Sequence, residues 1–235
     1  MTSETKQIAF VLYEGLTPLD LIGPLQTLAP LPRIDPTFDV CVVAETRAAL
    51  ETDSLIRLAP SHTFAEVPNP FAIVVPGGGE PTLRAAGHAP LLDYVGRATQ
   101  QAQIVMSVCT GAIILASAGL LTDRPATTHW AYFDILEALG ARAVHARWVE
   151  DGKFLTTAGV SAGIDGGLYL AQRLVGTDGA KLIQLGLEYE PEPPLGPIER
   201  DPAVLELLRP IWRPSLDEVV AAHPHLAGPA PVSAS

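Results

Sequence analysis

Cys109 closes the apolar, β-branched run Gln103-Ile104-Val105-Met106-Ser107-Val108, and Thr110-Gly111-Ala112 opens a helix-like segment directly after it. A side chain at such a strand-to-helix turn projects from a sheet edge, and the first N–H groups of the helix surround it with positive potential. A thiol exploits that setting best, because its reactive form is the anion. Two further features could complete a site. Asp20, in Leu19-Asp20-Leu21-Ile22-Gly23-Pro24, stands just past an earlier apolar run and reads either as an acid or as a helix cap. Gly77-Gly78-Gly79 ends a third apolar run and reads either as a source of oxyanion-binding N–H groups or as a plain tight turn.

These residues need a scaffold that brings them together. Gln7–Tyr13, Phe38–Ala44 and Phe71–Pro76 are continuously apolar, as parallel strands covered on both faces are written. Between and after them lie helix patterns at Pro24–Ala29, with Pro24 in the first turn, at Pro90–Gln101 and at Ala112–Ala118 with Gly119 as the stop. Thr128 is placed to cap a helix that ends at Gly140. Val144–Val149 and Phe154–Ala158 form a strand pair around Asp151-Gly152, and helices follow over Ile164–Val175 and Gly179–Tyr189. Such alternation predicts an α/β fold, a mainly parallel sheet sandwiched by helices, with ligands at the carboxyl edge of the strands. There the loops bearing Asp20, Gly77–Gly79 and Cys109 converge, which raises Asp20 from a cap to a candidate acid.

Residues 1–190 are expected to form one domain. After Glu190 the run Pro191-Glu192-Pro193-Pro194-Leu195-Gly196-Pro197 cannot continue a helix, so 191–235 is expected to be an extension packing on the domain or on a partner subunit, with a disordered end from Ala227. The 26 acidic against 15 basic side chains, net charge −11, argue against nucleic acid and anionic membranes as partners. No apolar run is long enough to span a bilayer, and a cytoplasmic location is expected. Cys41 reads as a core thiol, and two cysteines make no disulfide framework. No metal-ligand spacing is present.

Val75-Pro76-Gly77-Gly78, Ser107-Val108-Cys109-Thr110-Gly111 and Ala126-Thr127-Thr128-His129-Trp130 together resemble the DJ-1/PfpI superfamily. Within it the chain is most similar to the isocyanide hydratases, through Leu19–Pro24, Ala126–Tyr132, Gly159-Val160-Ser161-Ala162-Gly163-Ile164-Asp165 and Gln184–Tyr189, a likeness that covers residues 7–190. The resemblance implies a flavodoxin-like homodimer that adds water to a small-molecule isocyanide, giving an N-substituted formamide without metal or organic cofactor. Cys109 would attack and Asp20 would donate the proton. Hydrolytic members place histidine after the cysteine. Thr110 takes that position here and could give its hydroxyl to Cys109, to substrate or to the helix cap. Gly77, Gly78, Gly79, Val160, Ile164 and His129 are candidate substrate contacts, with ordinary core or turn roles as the alternative for each. Two other classes stay open: a hydrolase or deglycase-like thiol enzyme, and a ligand-sensing amidotransferase-like domain without catalysis.

Overall fold

The computed structural model describes residues 5–227. Seven strands, β1 (Lys6–Val11), β2 (Phe38–Ala44), β3 (His62–Thr63), β4 (Ala72–Val75), β5 (Ile104–Val108), β6 (Trp148–Asp151) and β7 (Phe154–Thr157), form one sheet in the order β6-β7-β5-β4-β1-β2-β3. All neighbours run parallel except the β6–β7 hairpin. Every residue of β4 and β5 is buried, which is the physical reason for their unbroken apolar sequences.

Eight helices matter here: α1 (Pro18–Leu28), α2 (Glu80–Ala85), α3 (Ala89–Gln101), α4 (Gly111–Ser117), α5 (Phe133–Ala138), α6 (Ala162–Gly186), α7 (Pro202–Trp212) and α8 (Leu216–Ala222). α1 packs on α6, while α4 contacts α2, α3 and α5, so the sheet lies between two helical layers. This is the mainly parallel sheet sandwiched by helices expected from the strand and helix alternation, in the flavodoxin-like form that the resemblance implies.

One helix departs from the sequence pattern. α1 begins at Pro18, and Pro24 lies inside it rather than in its first turn. The helix gains a turn that carries Asp20 inward, and Gly23 and Gly167 let α1 and α6 approach closely; a Cβ on Gly167 would lie 2.0 Å from Thr27 Oγ1. The two helices expected over Ile164–Val175 and Gly179–Tyr189 are both present within α6, separated by a break at Gly176, where φ is 75°.

Beyond residue 190 the chain returns to the body. Arg213, 3% exposed, donates to the carbonyl of Ala131 and to the Asp134 carboxylate. His225 Nε2 lies 2.9 Å from the carbonyl oxygen of Leu83, and Val219 and Leu226 are buried. α8 starts on a capping box between Ser215 and Glu218, which the sequence carries as Ser-x-x-Glu. α7 buries none of its residues. The expected disorder from 227 onward falls almost wholly outside the described residues.

Candidate active site

The turn between β5 and α4 places Cys109 at φ 54°, a left-handed conformation that non-glycine residues rarely adopt. Three contacts hold it there. The Cys109 N–H donates to the carbonyl of Ala158 at 3.0 Å, its own carbonyl accepts the Thr128 hydroxyl at 2.9 Å, and α4 starts at Gly111, where a Cβ would lie 2.1 Å from the Val75 oxygen. Thr128 therefore does not cap a helix, as its position had suggested; it is spent on fixing the elbow. The cap of the Trp130–Tyr132 turn is His129, whose Nδ1 accepts from the Ala131 N–H at 3.3 Å.

Asp20 is fully buried in the first turn of α1. Its Oδ2 accepts the Gly77 N–H at 3.1 Å, while Oδ1 is buried without a hydrogen-bond partner among the described residues. Burial raises its pKa to about 7, against the opposing pull of the Cys109 thiol and the Gly77 N–H. Burial also pushes the Cys109 thiol well up, and the Asp20 charge pushes it further, whereas the N–H groups of Val160 and Thr110 directed at the sulfur favour the thiolate. Thiol and carboxyl thus compete for protons beside each other, and Asp20 keeps one near neutrality.

Thr110 is buried, and its hydroxyl goes neither to Cys109 nor to the cap of α4. Oγ1 accepts the N–H of Gly78 at 3.0 Å and that of Gly79 at 3.2 Å, and lies 2.8 Å from the Thr82 hydroxyl. Thr82 is in turn 2.9 Å from the Tyr13 hydroxyl, which donates to the Pro76 carbonyl at 3.0 Å. With both lone pairs of Thr110 engaged, its proton goes to Thr82, that of Thr82 to Tyr13, and that of Tyr13 to Pro76. The Gly77, Gly78 and Gly79 N–H groups are consumed by Asp20 and Thr110 rather than presented as oxyanion donors. What the three glycines supply is proximity: a Cβ on Gly77 would lie 2.5 Å from Thr110 N and 2.8 Å from Asp20 Oδ2.

The remaining expected residues surround this centre. Val160, at φ 25°, aims its N–H at Cys109, a role that its apolar side chain gave no hint of. Ile164 packs on α1, its Cγ1 3.1 Å from where a Cβ on Gly23 would lie. His129 lies against Gly159, and burial lowers its pKa to about 4, so it is neutral at physiological pH and occupied as a cap. Among the described residues no cluster of three or more His, Cys, Asp or Glu side chains could hold a metal ion. Cys41 is a buried strand residue whose thiol is pushed up to about 12 by burial.

One residue was missed. Tyr132 is 2% exposed, its hydroxyl has no hydrogen-bond partner among the described residues, and the oxygen lies 3.4 Å from the position of a Cβ on Gly79. Burial, then the nearby Cys109 charge, push its pKa up to about 12.

A flavodoxin-like sandwich with a buried thiol at a strained strand-to-helix elbow and a carboxyl beside it defines a class of cysteine-centred α/β proteins. The chain belongs to the DJ-1/PfpI family, whose profile matches residues 6–173. An isonitrile hydratase from Pseudomonas putida is 42% identical over 89% of this chain and 91% of its own. A ThiJ/PfpI family protein from Pseudomonas syringae superposes with a TM-score of 0.82 at 32% identity, covering 95% of this chain and 89% of that one. The transcriptional regulator GlxA of Rhizobium meliloti is 28% identical over 63% of this chain, which spans only 46% of that regulator.

Proposed function

We propose that this chain is an isocyanide hydratase, a hydro-lyase that converts R–N≡C and water into R–NH–CHO. The observation behind it is the buried Cys109–Asp20 pair, in which a carboxyl with a pKa of about 7 holds a proton beside a thiol. An isocyanide carbon needs both groups at once, because a nucleophile adds to it and a proton must reach the same atom. Cys109 enters as the thiolate that the Val160 and Thr110 N–H groups favour: its sulfur bonds to the carbon, the Asp20 proton is transferred to that carbon, and a thioimidate R–N=CH–S results, with Asp20 left as the carboxylate. Water then adds to that carbon. Collapse breaks the C–S bond, the hydroxyl proton returns to Asp20, and the thiolate leaves.

The likeness to the Pseudomonas putida enzyme over nine-tenths of both chains supports the same chemistry. A ligand-sensing role is less well supported, since the regulator matched is more than twice as long as the part this chain spans. Two free cysteines suit a reducing cytoplasm. The exposed Leu207, Ile211 and Trp212 on α7 suit a second copy of the chain as their cover, giving a homodimer. Incubation with an aliphatic isocyanide should yield the formamide, and Cys109→Ser should yield none. Conversion by the serine variant at the wild-type rate, or no conversion of any isocyanide, would exclude the proposal; light scattering of the purified chain tests the dimer.

A further inference from the structure

The hydration just described leaves one proton transfer without a group to perform it. When water adds to the thioimidate carbon, the C=N nitrogen must gain a proton while the water loses one, at a moment when Asp20 is a carboxylate. Asp20 stands against Gly77 and the Tyr132 hydroxyl against Gly79, so the two groups face the same turn two residues apart. Thr110, the other hydroxyl at that turn, has its proton and both lone pairs engaged. His129 accepts the Ala131 N–H at Nδ1 and so has no acceptor left to take the water proton, and the Cys109 sulfur is by then bonded to carbon. The Tyr132 hydroxyl alone among these groups is buried with donor and acceptor capacity both free. A buried hydroxyl without a partner is costly, and a site that retains one gains by offering it to a ligand.

Resting on the hydratase function, we infer that Tyr132 is a catalytic residue of the second half-reaction, relaying a proton from the attacking water to the thioimidate nitrogen. The water oxygen bonds to carbon and the C=N π pair becomes the new N–H bond. One water proton passes to the Tyr132 oxygen as the phenolic proton passes to nitrogen, so the phenol ends unchanged and no external acid is needed. A phenol held up at about 12 stays protonated throughout the working pH range. The corner that carries it is fixed from outside by Arg213, which donates to the Ala131 carbonyl and to Asp134 on either side of Tyr132.

The test separates the two half-reactions. Wild type and Tyr132→Phe are mixed with n-butyl isocyanide, quenched at intervals and weighed by intact-protein mass spectrometry. Adduct at Cys109 should form at the wild-type rate in Tyr132→Phe and decay roughly 100-fold more slowly, so that it accumulates only in the variant. Equal decay in the two proteins overturns the assignment, and so does a variant in which formation slows as much as decay. A wild type that makes neither adduct nor formamide removes the hydratase function itself and this step with it. Losing an unpartnered hydroxyl should leave the melting temperature unchanged or higher. Should the phenylalanine variant not fold, fluorotyrosine at 132 replaces it: its lower phenolic pKa should move the alkaline limb of adduct decay downward, and an unmoved limb overturns the assignment.

Discussion

The Asp20 carboxylate accepts the backbone N–H of Gly77 at 3.1 Å, and among the described residues its second oxygen is buried and unpartnered, so the combined pull of the Cys109 thiol and the Gly77 N–H is all that offsets the burial of a charge. It does not suffice, and the pKa settles at about 7.

That value has a direction in stability. The folded state holds the Asp20 proton to about pH 7, whereas the unfolded chain releases it near the ordinary 3.8. Wild type should therefore lose stability as pH rises between these values, by on the order of 4 kcal/mol at most. Asp20→Asn has no such dependence. Melting temperatures at pH 5 and pH 8 should show the variant gaining on wild type at the higher pH; a constant difference would sink the assigned protonation.

Activity should follow the same proton. Formation of the Cys109 adduct is expected to decline above about pH 7 as Asp20 ionises, and Asp20→Asn should form no adduct at any pH. Single-turnover rates measured from pH 5 to 9 check this, and an undiminished rate at pH 9 would remove Asp20 as the donor.

Thr110→Val keeps the shape of the side chain and removes the oxygen that holds the Gly78 and Gly79 N–H groups. Two buried donors lose their partner, at roughly 1–3 kcal/mol each. Urea unfolding should register a loss on the order of 3 kcal/mol together with a marked fall in turnover, while Thr110→Ser recovers most of both. A valine variant as stable as wild type would show that water replaces the hydroxyl.

Gly77→Ala introduces a Cβ 2.5 Å from Thr110 N, which is backbone and cannot swing aside. The variant is expected to be inactive and destabilised even though φ at this position is not left-handed. Gly186→Ala, with open space around it, serves as the control and should leave activity untouched.

Strand identities were legible because burial on both faces leaves no room for polar residues, as in Ala72–Val75 and Ile104–Val108. The meeting of Asp20 with Cys109 was legible too, since both follow parallel strands and the carboxyl edge collects such loops. Hydroxyl assignments were not. Thr110, Thr128 and Tyr132 differ little in sequence context, yet the first locks the glycine turn, the second holds the elbow carbonyl and the third has no partner. Which hydroxyl bonds to what depends on contacts between residues that lie tens of positions apart. Pro24 misled for a related reason: only the packing of α1 on α6 reveals a helix that runs through a proline.

Arg213 and His225 reach back to Ala131 and to Leu83, and so the two corners that flank the glycine turn are tied down by side chains that leave the ribosome after every residue of the site itself. During synthesis, the sheet and the elbow can assemble while those ties are still missing. The nascent chain would then carry Cys109 on its strained turn with the Tyr132 corner unanchored, and the thiol would acquire its full surroundings only once residues 213–226 have docked.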